Sequence, residues 1–260
     1  MTVLSRAITG KGYLLLLFFA TLLLALLPSV PFCPASGPNA DKPPRVPSLT
    51  GFTAVRMGGE AREVQKFQND WAKMASRHDP EKAFGKSITA MTAPVLAQWN
   101  NLSKLMPSWT PEKKLQNING FFNRWDSKDD QSNYGMEEYW ASPEEFLENG
   151  GDCEDYAIIK YMALRYFGWP EEDLWILLAK DKKTGDHHAA LAARTREKTF
   201  ILDNLSRPVY LLIPEAQYVR NFTPLYAING RGAWMMVIPG GGSGDGKSPA
   251  DTRPVCGSEL

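Results

Sequence analysis

The sequence predicts an α+β domain in which N-terminal helices pack on an antiparallel sheet. Apolar residues first recur every three to four positions, which is typical of helices, up to about residue 167. Beyond that point they alternate every second position, which is typical of strands. Because the helices precede the strands rather than alternate with them, an antiparallel sheet is favoured over a parallel one.

The chain opens with a segment typical of export signals. Arg6 and Lys11 precede an apolar run over residues 13–27, and prolines and small residues follow it. The run is shorter than the roughly 20 residues that a membrane span needs, although extension to Phe32 would nearly reach that length. Residues 1–35 are therefore predicted to be a signal peptide or an uncleaved anchor. Either one places the rest of the chain outside the cytoplasm.

The amino-acid composition predicts the remaining domain boundaries. Residues 36–50 are rich in proline and are predicted to be a linker, and residues 239–260 are predicted to be a flexible Gly-rich tail. The folded domain is then 51–238. The formal net charge of +0 argues against a nucleic-acid-binding protein, which usually carries a basic surface.

Helices account for the first half of this domain. Apolar residues at helical spacing predict three of them, over residues 60–74, 94–105 and 111–125. A fourth begins at Ser142, a good N-cap, with Pro143 in the first helical position and Glu145 completing a capping box. The pair Gly150-Gly151 ends it, and a fifth helix follows over 153–167.

Strands account for the second half. Alternating apolar residues predict them over Leu174–Ala179, His187–Arg194 and Phe200–Asp203, with Val209–Ile213 and Ala233–Ile238 as further candidates. A polar segment, residues 181–185, is predicted to be a hairpin connection.

Cys153 is the candidate nucleophile, because the other two cysteines, Cys33 and Cys256, lie in Pro/Gly-rich end segments. A thiolate in the first turn of a helix is stabilised by the helix dipole and by backbone N–H donors. His188 and Asp203 follow in the predicted strands. Cys, His and Asp in this order, on helix, strand and strand, are what a papain-like or transglutaminase-like thiol site needs.

The pairing of the second and third strands decides which histidine is used. If the hairpin turns tightly around residues 195–196, opposite residues have numbers that sum to 391, so His188 faces Asp203. The same register pairs His187 with Asn204 on the other face of the sheet. Both a Cys-His-Asp and a Cys-His-Asn site are chemically workable, so the hairpin alone leaves both open.

The turn around Cys153 is acidic. Asp152, Glu154 and Asp155 would disfavour a thiolate unless a cation offset their charge. Carboxylates together with backbone oxygens suit a hard cation such as Ca²⁺. The alternative interpretation is a helix cap within a solvated acidic turn.

Several spaced blocks resemble one known family. They are Tyr-Trp-Ala-Ser-Pro-Glu-Glu-Phe-Leu at 139–147, Gly-Asp-Cys-Glu-Asp-Tyr-Ala-Ile at 151–158, His-Ala-Ala-Leu at 188–191, Leu-Asp-Asn-Leu at 202–205 and Leu-Tyr-Ala-Ile-Asn at 225–229. In this order they resemble the bacterial transglutaminase-like cysteine peptidases of the LapG type, over about residues 110–235. The resemblance implies a papain/transglutaminase-like fold. It also selects His188, because the family's histidine lies three positions before a leucine.

The resemblance further implies a periplasmic, calcium-dependent endopeptidase with Cys153, His188 and Asp203 as its catalytic residues. Calcium would be held by the acidic residues around the cysteine, here Asp152, Glu154 and Asp155. Members of the family cut large surface adhesins near their N-termini at a di-alanine site, which controls biofilm attachment. An inner-membrane receptor for cyclic di-GMP sequesters the enzyme.

Two other functions are compatible with the same residues. The acyl-enzyme could pass to an amine instead of water, which would make the protein a transglutaminase-like cross-linking enzyme. The domain could also be a non-catalytic, calcium-dependent binding module in which Cys153 has no chemical role. A thiol-directed reagent would separate the module from the two enzymes, and analysis of the reaction products would separate the enzymes from each other.

Overall fold

A computed structural model of the chain describes residues 45–57 and 80–240, and it has helices packed on a seven-stranded antiparallel sheet. The predicted α+β class is confirmed, but the predicted order is not complete, because the strand Thr53–Arg56 precedes the described helices and the helix Glu215–Asn221 lies between strands. The predicted signal or anchor over 1–35 and the helix over 60–74 lie outside the described residues, as do most of the linker and most of the tail. No helix of the described part is long and apolar enough to cross a membrane.

Seven α-helices are present in the described ranges. In chain order they are α1 (Pro80–Ser87), α2 (Ala93–Leu105), α3 (Pro111–Phe122), α4 (Asp130–Tyr134), α5 (Pro143–Asn149), α6 (Cys153–Tyr166) and α7 (Glu215–Asn221). The predicted capping box is present at the start of α5, where the Ser142 and Glu145 side chains each accept from the other residue's backbone N–H. The sequence analysis missed α1, α4 and α7, which are short.

Neighbouring strands of the sheet are not all consecutive in the sequence. Its strands are β1 (Thr53–Arg56), β2 (Leu174–Asp181), β3 (His187–Arg194), β4 (Thr199–Leu202), β5 (Ile213–Pro214), β6 (Phe222–Asn229) and β7 (Gly232–Val237). They lie in the order β1-β7-β6-β2-β3-β4-β5. Strands β1 and β6 were not predicted. The candidate strand Val209–Ile213 was wrong except at its end, because only Ile213 and Pro214 pair with β4.

Helix α6 occupies the centre of the molecule. Every residue from Cys153 to Leu164 is buried, and the helix packs on β2 and β3 as well as on α1, α3 and α5. Aromatic side chains fill the space between the helices, including Phe84, Trp99 and Phe122, whose rings meet edge to face or at a tilt. Because α6 is enclosed in this way, its first turn is held in a fixed position against the sheet.

The hairpin between β3 and β4 differs from the predicted register by two residues. Leu191 pairs with Leu202 and Ala192 with Ile201, so opposite residues sum to 393 rather than 391. The predicted two-residue turn was wrong because the connection spans Thr195–Lys198, closed by the Thr195 N–H donating to the Lys198 carbonyl at 2.9 Å. A slip of two residues keeps every side chain on its face of the sheet. His188 and Asp203 are therefore diagonal neighbours across the two strands and do not lie directly opposite each other.

Candidate active site

Cys153 is the first residue of α6, and a tight turn places it there. Gly150 has φ of +76°, in the region that favours glycine, and it ends α5. Gly151 follows, and a Cβ on it would lie 2.3 Å from the Asp155 carboxylate, so a larger residue would not fit. The two glycines thus let α5 stop and α6 start within three residues, which fixes the position of the cysteine.

The Cys153 sulfur lies against the start of β3. The backbone N–H of Ala189 donates to Sγ at 3.1 Å, so the sulfur is beside the peptide that joins His188 to Ala189. The cysteine is 3% exposed. A nucleophilic role requires Cys153 as the free thiol.

His188 and Asp203 form a buried pair. Their side chains meet at 3.0 Å between Nε2 and Oδ1, and the same oxygen accepts the backbone N–H of Leu205 at 2.8 Å. Burial opposes ionisation of Asp203, but the neighbouring His188, these hydrogen bonds and the charge of Lys160 together hold its pKa below the usual value. Asp203 is thus a carboxylate that orients the imidazole.

The surroundings of this pair restrain both members. The Phe222 ring lies 5.2 Å from the His188 ring, centroid to centroid, and Tyr218 stacks on Phe222 at 4.6 Å. The Asn123 side chain at the end of α3 donates to the Asp203 carbonyl at 2.8 Å. The imidazole therefore has an aromatic wall on one side, and the backbone of Asp203 is tied to the helical layer.

The alternative pair, His187 with Asn204, is not formed. Within the described residues neither His187 Nε2 nor Asn204 Oδ1 has a hydrogen-bond partner. Partial burial, followed by the charge of Lys180, lowers the pKa of His187. Of the two histidines, only His188 has a carboxylate to orient it.

Next to the cysteine lies a cluster of three buried carboxyl groups. Asp130, Asp152 and Glu154 each offer an oxygen, and these oxygens all lie within 4.8 Å of one another. Each residue also has one buried oxygen without a hydrogen-bond partner among the described residues: Oδ1 of Asp130, Oδ1 of Asp152 and Oε1 of Glu154. Buried polar atoms are normally paired, so three orphaned carboxyl oxygens in one place need an explanation.

The pKa values of these three carboxyl groups also indicate a cation site. Burial, reinforced by the neighbouring carboxylates, raises the pKa of Asp130, raises that of Asp152 to about 7 and raises that of Glu154 well above its usual value. A divalent cation would reverse this cost by charge compensation. Hard oxygen ligands are the set that Ca²⁺ prefers, with backbone carbonyls and water completing six to eight ligands. The donor set of the cluster therefore fits calcium.

Asp155, the third acidic residue of the sequence prediction, has a different environment. Its Oδ1 accepts the Ala141 N–H at 2.8 Å and its Oδ2 accepts the Asp152 N–H at 3.3 Å. Asp155 thus holds the backbone ahead of α5 as well as the backbone at the start of α6, and burial raises its pKa well above the usual value. Asp155 stays a predicted calcium ligand, whereas Asp152 and Glu154 are brought together with Asp130.

Asp130 was missed by the sequence analysis. It lies 22 positions before Asp152, in α4, and the fold closes that distance. No fixed spacing links Asp130 to the cysteine. The only signal in the sequence was the acidic pair Asp129-Asp130 at the start of a short helix.

Comparisons with known proteins identify the family to which the chain belongs. The family model for the bacterial transglutaminase-like cysteine proteinase BTLCP matches residues 98–237, more than half of the chain. Similar solved structures include Legionella pneumophila LapG in a calcium-bound form (28% identity, TM-score 0.49) and in an EGTA-treated form (29% identity, TM-score 0.47). Both cover 60% of this chain, and 87% and 84% of their own. No match was found among curated proteins.

Proposed function

Because the chain belongs to the bacterial transglutaminase-like cysteine proteinases, we propose that it is an exported, calcium-dependent endopeptidase with Cys153, His188 and Asp203 as its catalytic triad. The observation that carries this proposal is the buried His188–Asp203 pair, joined at 3.0 Å beside the peptide that contacts the Cys153 sulfur. These contacts support a nucleophile, a base and a group that orients the base at one site.

The mechanism follows from this arrangement. Asp203 accepts the hydrogen bond from Nε2–H of His188, which leaves Nδ1 of the imidazole to take the proton of the Cys153 thiol. The thiolate attacks the carbonyl carbon of the scissile peptide bond. The C–N bond then breaks, His188 gives its proton to the leaving amine, and a thioester remains on Cys153. Water hydrolyses this thioester and regenerates the thiol.

The helix start supports the charged states along this path. The Cys153 N–H lies at the positive end of α6 and is the candidate oxyanion donor. Asp203 stabilises the imidazolium that forms when His188 takes the proton of the Cys153 thiol.

Asp130, Asp152 and Glu154 would hold the calcium ion, with Asp155 as the further predicted ligand. When bound, the ion supplies positive charge that offsets these carboxylates, one of which, Glu154 Oε2, lies 3.3 Å from the Cys153 sulfur. With that charge offset, the thiolate of Cys153 meets less repulsion. The proposal of calcium dependence rests on the three orphaned oxygens.

The substrate in this proposal is a large surface adhesin, cut near a di-alanine site to control biofilm attachment. The resemblance of the sequence blocks to the LapG type supports it, and so does the export-signal pattern of residues 1–35, which would place the enzyme in the periplasm. The proposed partner, on the same grounds, is an inner-membrane receptor for cyclic di-GMP.

Cleavage of a defined fragment tests the proposal. The reduced, calcium-loaded protein is incubated with the N-terminal region of a large adhesin from the same organism, and new N-termini are mapped by mass spectrometry. We expect one cut, at the di-alanine, and none when both alanines are replaced by arginine or when Cys153→Ala is used. Intact substrate would overturn the proposed function. New isopeptide bonds in place of new N-termini would show a cross-linking enzyme.

A further inference from the structure

Asp203 lies just beyond the paired part of the sheet. The ladder between β3 and β4 ends where Leu191 pairs with Leu202, so Asp203 is the first residue past β4. Its contact with His188 runs diagonally across the two strands, and diagonal neighbours have backbones about 7–8 Å apart. The 3.0 Å contact between Nε2 and Oδ1 therefore depends on the direction in which the Asp203 side chain leaves its backbone. The group that holds this backbone thus controls the geometry of the pair.

Asn123 holds the Asp203 backbone. It is the residue that directly follows α3, and its Nδ2 donates to the Asp203 carbonyl at 2.8 Å and to the Val209 carbonyl at 2.9 Å. Because both partners are carbonyl oxygens, the nitrogen of the amide and not its oxygen must face them. One side chain thus joins two points of the loop that begins at Asp203 to the end of α3.

The other backbone donors to Asp203 come from its own loop. The Ser206 N–H donates to the Asp203 carbonyl at 3.4 Å, which is longer than a usual hydrogen bond, and the Leu205 N–H donates to Oδ1 at 2.8 Å. Both donors move with the loop, so they do not fix Asp203 relative to the rest of the domain. The hydrogen bond from Asn123 is the one that joins the Asp203 carbonyl to the helical layer.

Asn119 offers a close comparison, because it lies one turn earlier on the same face of α3 and holds the same loop at other points. Its Nδ2 donates to the Val209 carbonyl at 3.2 Å and to the Leu211 carbonyl at 2.9 Å. In both asparagines Oδ1 is buried and has no hydrogen-bond partner among the described residues, which costs folding free energy. The two amides thus make equivalent sets of bonds to the loop, and only the amide of Asn123 reaches Asp203.

We propose that Asn123 is a positioning residue for the triad: its amide holds the Asp203 carbonyl and thereby aims the Asp203 carboxylate at Nε2 of His188. This rests on the proposed function in one respect, namely that Asp203 orients the catalytic base. Asn123 touches neither the substrate nor the reacting atoms. Without its amide the triad residues are all present, but the base is correctly oriented for a smaller share of the time, which lowers kcat more than it changes KM.

Matched substitutions separate positioning from stability. Asn123→Ala and Asn119→Ala each remove two hydrogen bonds to the loop, so the unfolding constants measured in urea should both rise. On the adhesin fragment, Asn123→Ala should lower kcat at least about tenfold and leave KM within about twofold of the wild type. Asn119→Ala should keep kcat within about twofold. Asn123→Asp keeps the size of the side chain but removes its N–H donor, so it should lower kcat as Asn123→Ala does.

Nuclear magnetic resonance follows the bond between His188 and Asp203 without any substrate. The full reduced, calcium-loaded chain is prepared with isotope-labelled histidine, which gives signals from only three residues. The Nε2 proton of His188 is assigned by its loss in His188→Ala. In Asn123→Ala this proton should exchange with water at least about tenfold faster than in the wild type, because its bond to Asp203 opens more often. In Asn119→Ala it should exchange at close to the wild-type rate.

Kinetics in the Asp203→Asn background decide whether Asn123 acts through Asp203. There Asn123→Ala should change kcat by less than about twofold, whereas an equal loss in both backgrounds would overturn the positioning role. Equal losses of kcat in Asn123→Ala and Asn119→Ala, or an unchanged exchange rate of the His188 proton, would overturn it as well. An Asp203→Asn enzyme with full activity would overturn the proposed triad, and the positioning role with it. If the wild type leaves the fragment intact, the proposed function is wrong, and the proton exchange still decides whether Asn123 positions Asp203.

Discussion

At the scale of single residues, the candidate site combines one sulfur with several buried charges. Cys153, His188 and Asp203 are each less than a tenth exposed, and burial strengthens the electrostatic interactions among them. The same burial makes each group costly to leave unpaired, which is why changes at single positions should have large effects.

Cys153 should be the only cysteine whose loss abolishes cleavage. Replacing it with alanine removes the nucleophile, so residual turnover should fall by about three orders of magnitude or more. Cys33→Ser and Cys256→Ser serve as controls and should stay close to wild type under reducing conditions. The measurement is the initial rate of adhesin cleavage with calcium and a reductant, and an active Cys153→Ala protein would contradict the mechanism.

His188 rather than His187 should be the base. His188→Ala should cost about as much activity as Cys153→Ala, because the two residues act as one unit. His187→Ala is the matched control on the adjacent residue, and it should keep most of the activity since His187 has no carboxylate partner. The reverse ranking in the same cleavage assay would implicate Asn204 as the orienting group.

At the scale of elements, close contacts between neighbouring backbone segments hold the start of α6 in place. The Gly151 carbonyl accepts from Lys128, and the Asp155 carboxylate lies where a Gly151 side chain would be. The turn between α5 and α6 is thereby held to the segment that leads into α4. The acidic cluster draws its residues from these same two segments.

Gly151→Ala should therefore disturb the site more than a typical surface change. The added methyl would lie 2.3 Å from Asp155 Oδ2 and 2.7 Å from Asp155 Cβ, so the turn must shift. We expect the free energy of unfolding to fall by about 1–3 kcal/mol. The rate of cleavage should fall by more than this loss of stability explains, because Cys153 moves with the turn. Gly85→Ala in α1 is the control, because its φ is not positive and its Cβ would meet nothing closer than 3.4 Å. Equal effects in urea unfolding would contradict this account.

At the scale of the whole molecule, the proposed calcium ion joins distant parts of the chain. Asp130 comes from α4, whereas Asp152 and Glu154 come from the start of α6. Any ligand that binds only the folded state raises its stability. A bound ion should therefore affect folding as well as catalysis.

Calcium should raise the melting temperature by several degrees, and EGTA should reverse the rise and abolish cleavage. Mg²⁺ should substitute poorly, because its small octahedral shell rarely suits such a site. Asp130→Asn should remove most of the shift. Asp129→Asn is the matched control, since Asp129 is exposed and Asn also caps helices well. Full cleavage in excess EGTA without any calcium-dependent melting shift would contradict a calcium site.

The sequence by itself determined the class of the fold and most of the long elements. The alternation of His187–Arg194 predicted β3 with its correct ends, and the Ser142 capping box predicted the start of α5. Such features are local, because hydrophobic period and cap chemistry act within a few residues. The prediction that Cys153 is the nucleophile also rested on local context.

The tertiary structure alone decided how distant segments meet. It set the β3–β4 register two residues from the predicted one, since the length of the turn determines register and the sequence pattern only determines the face. It also brought Asp130 to Asp152 and Glu154. These arrangements arise from packing between residues far apart in the chain, and no local period or spacing encodes them.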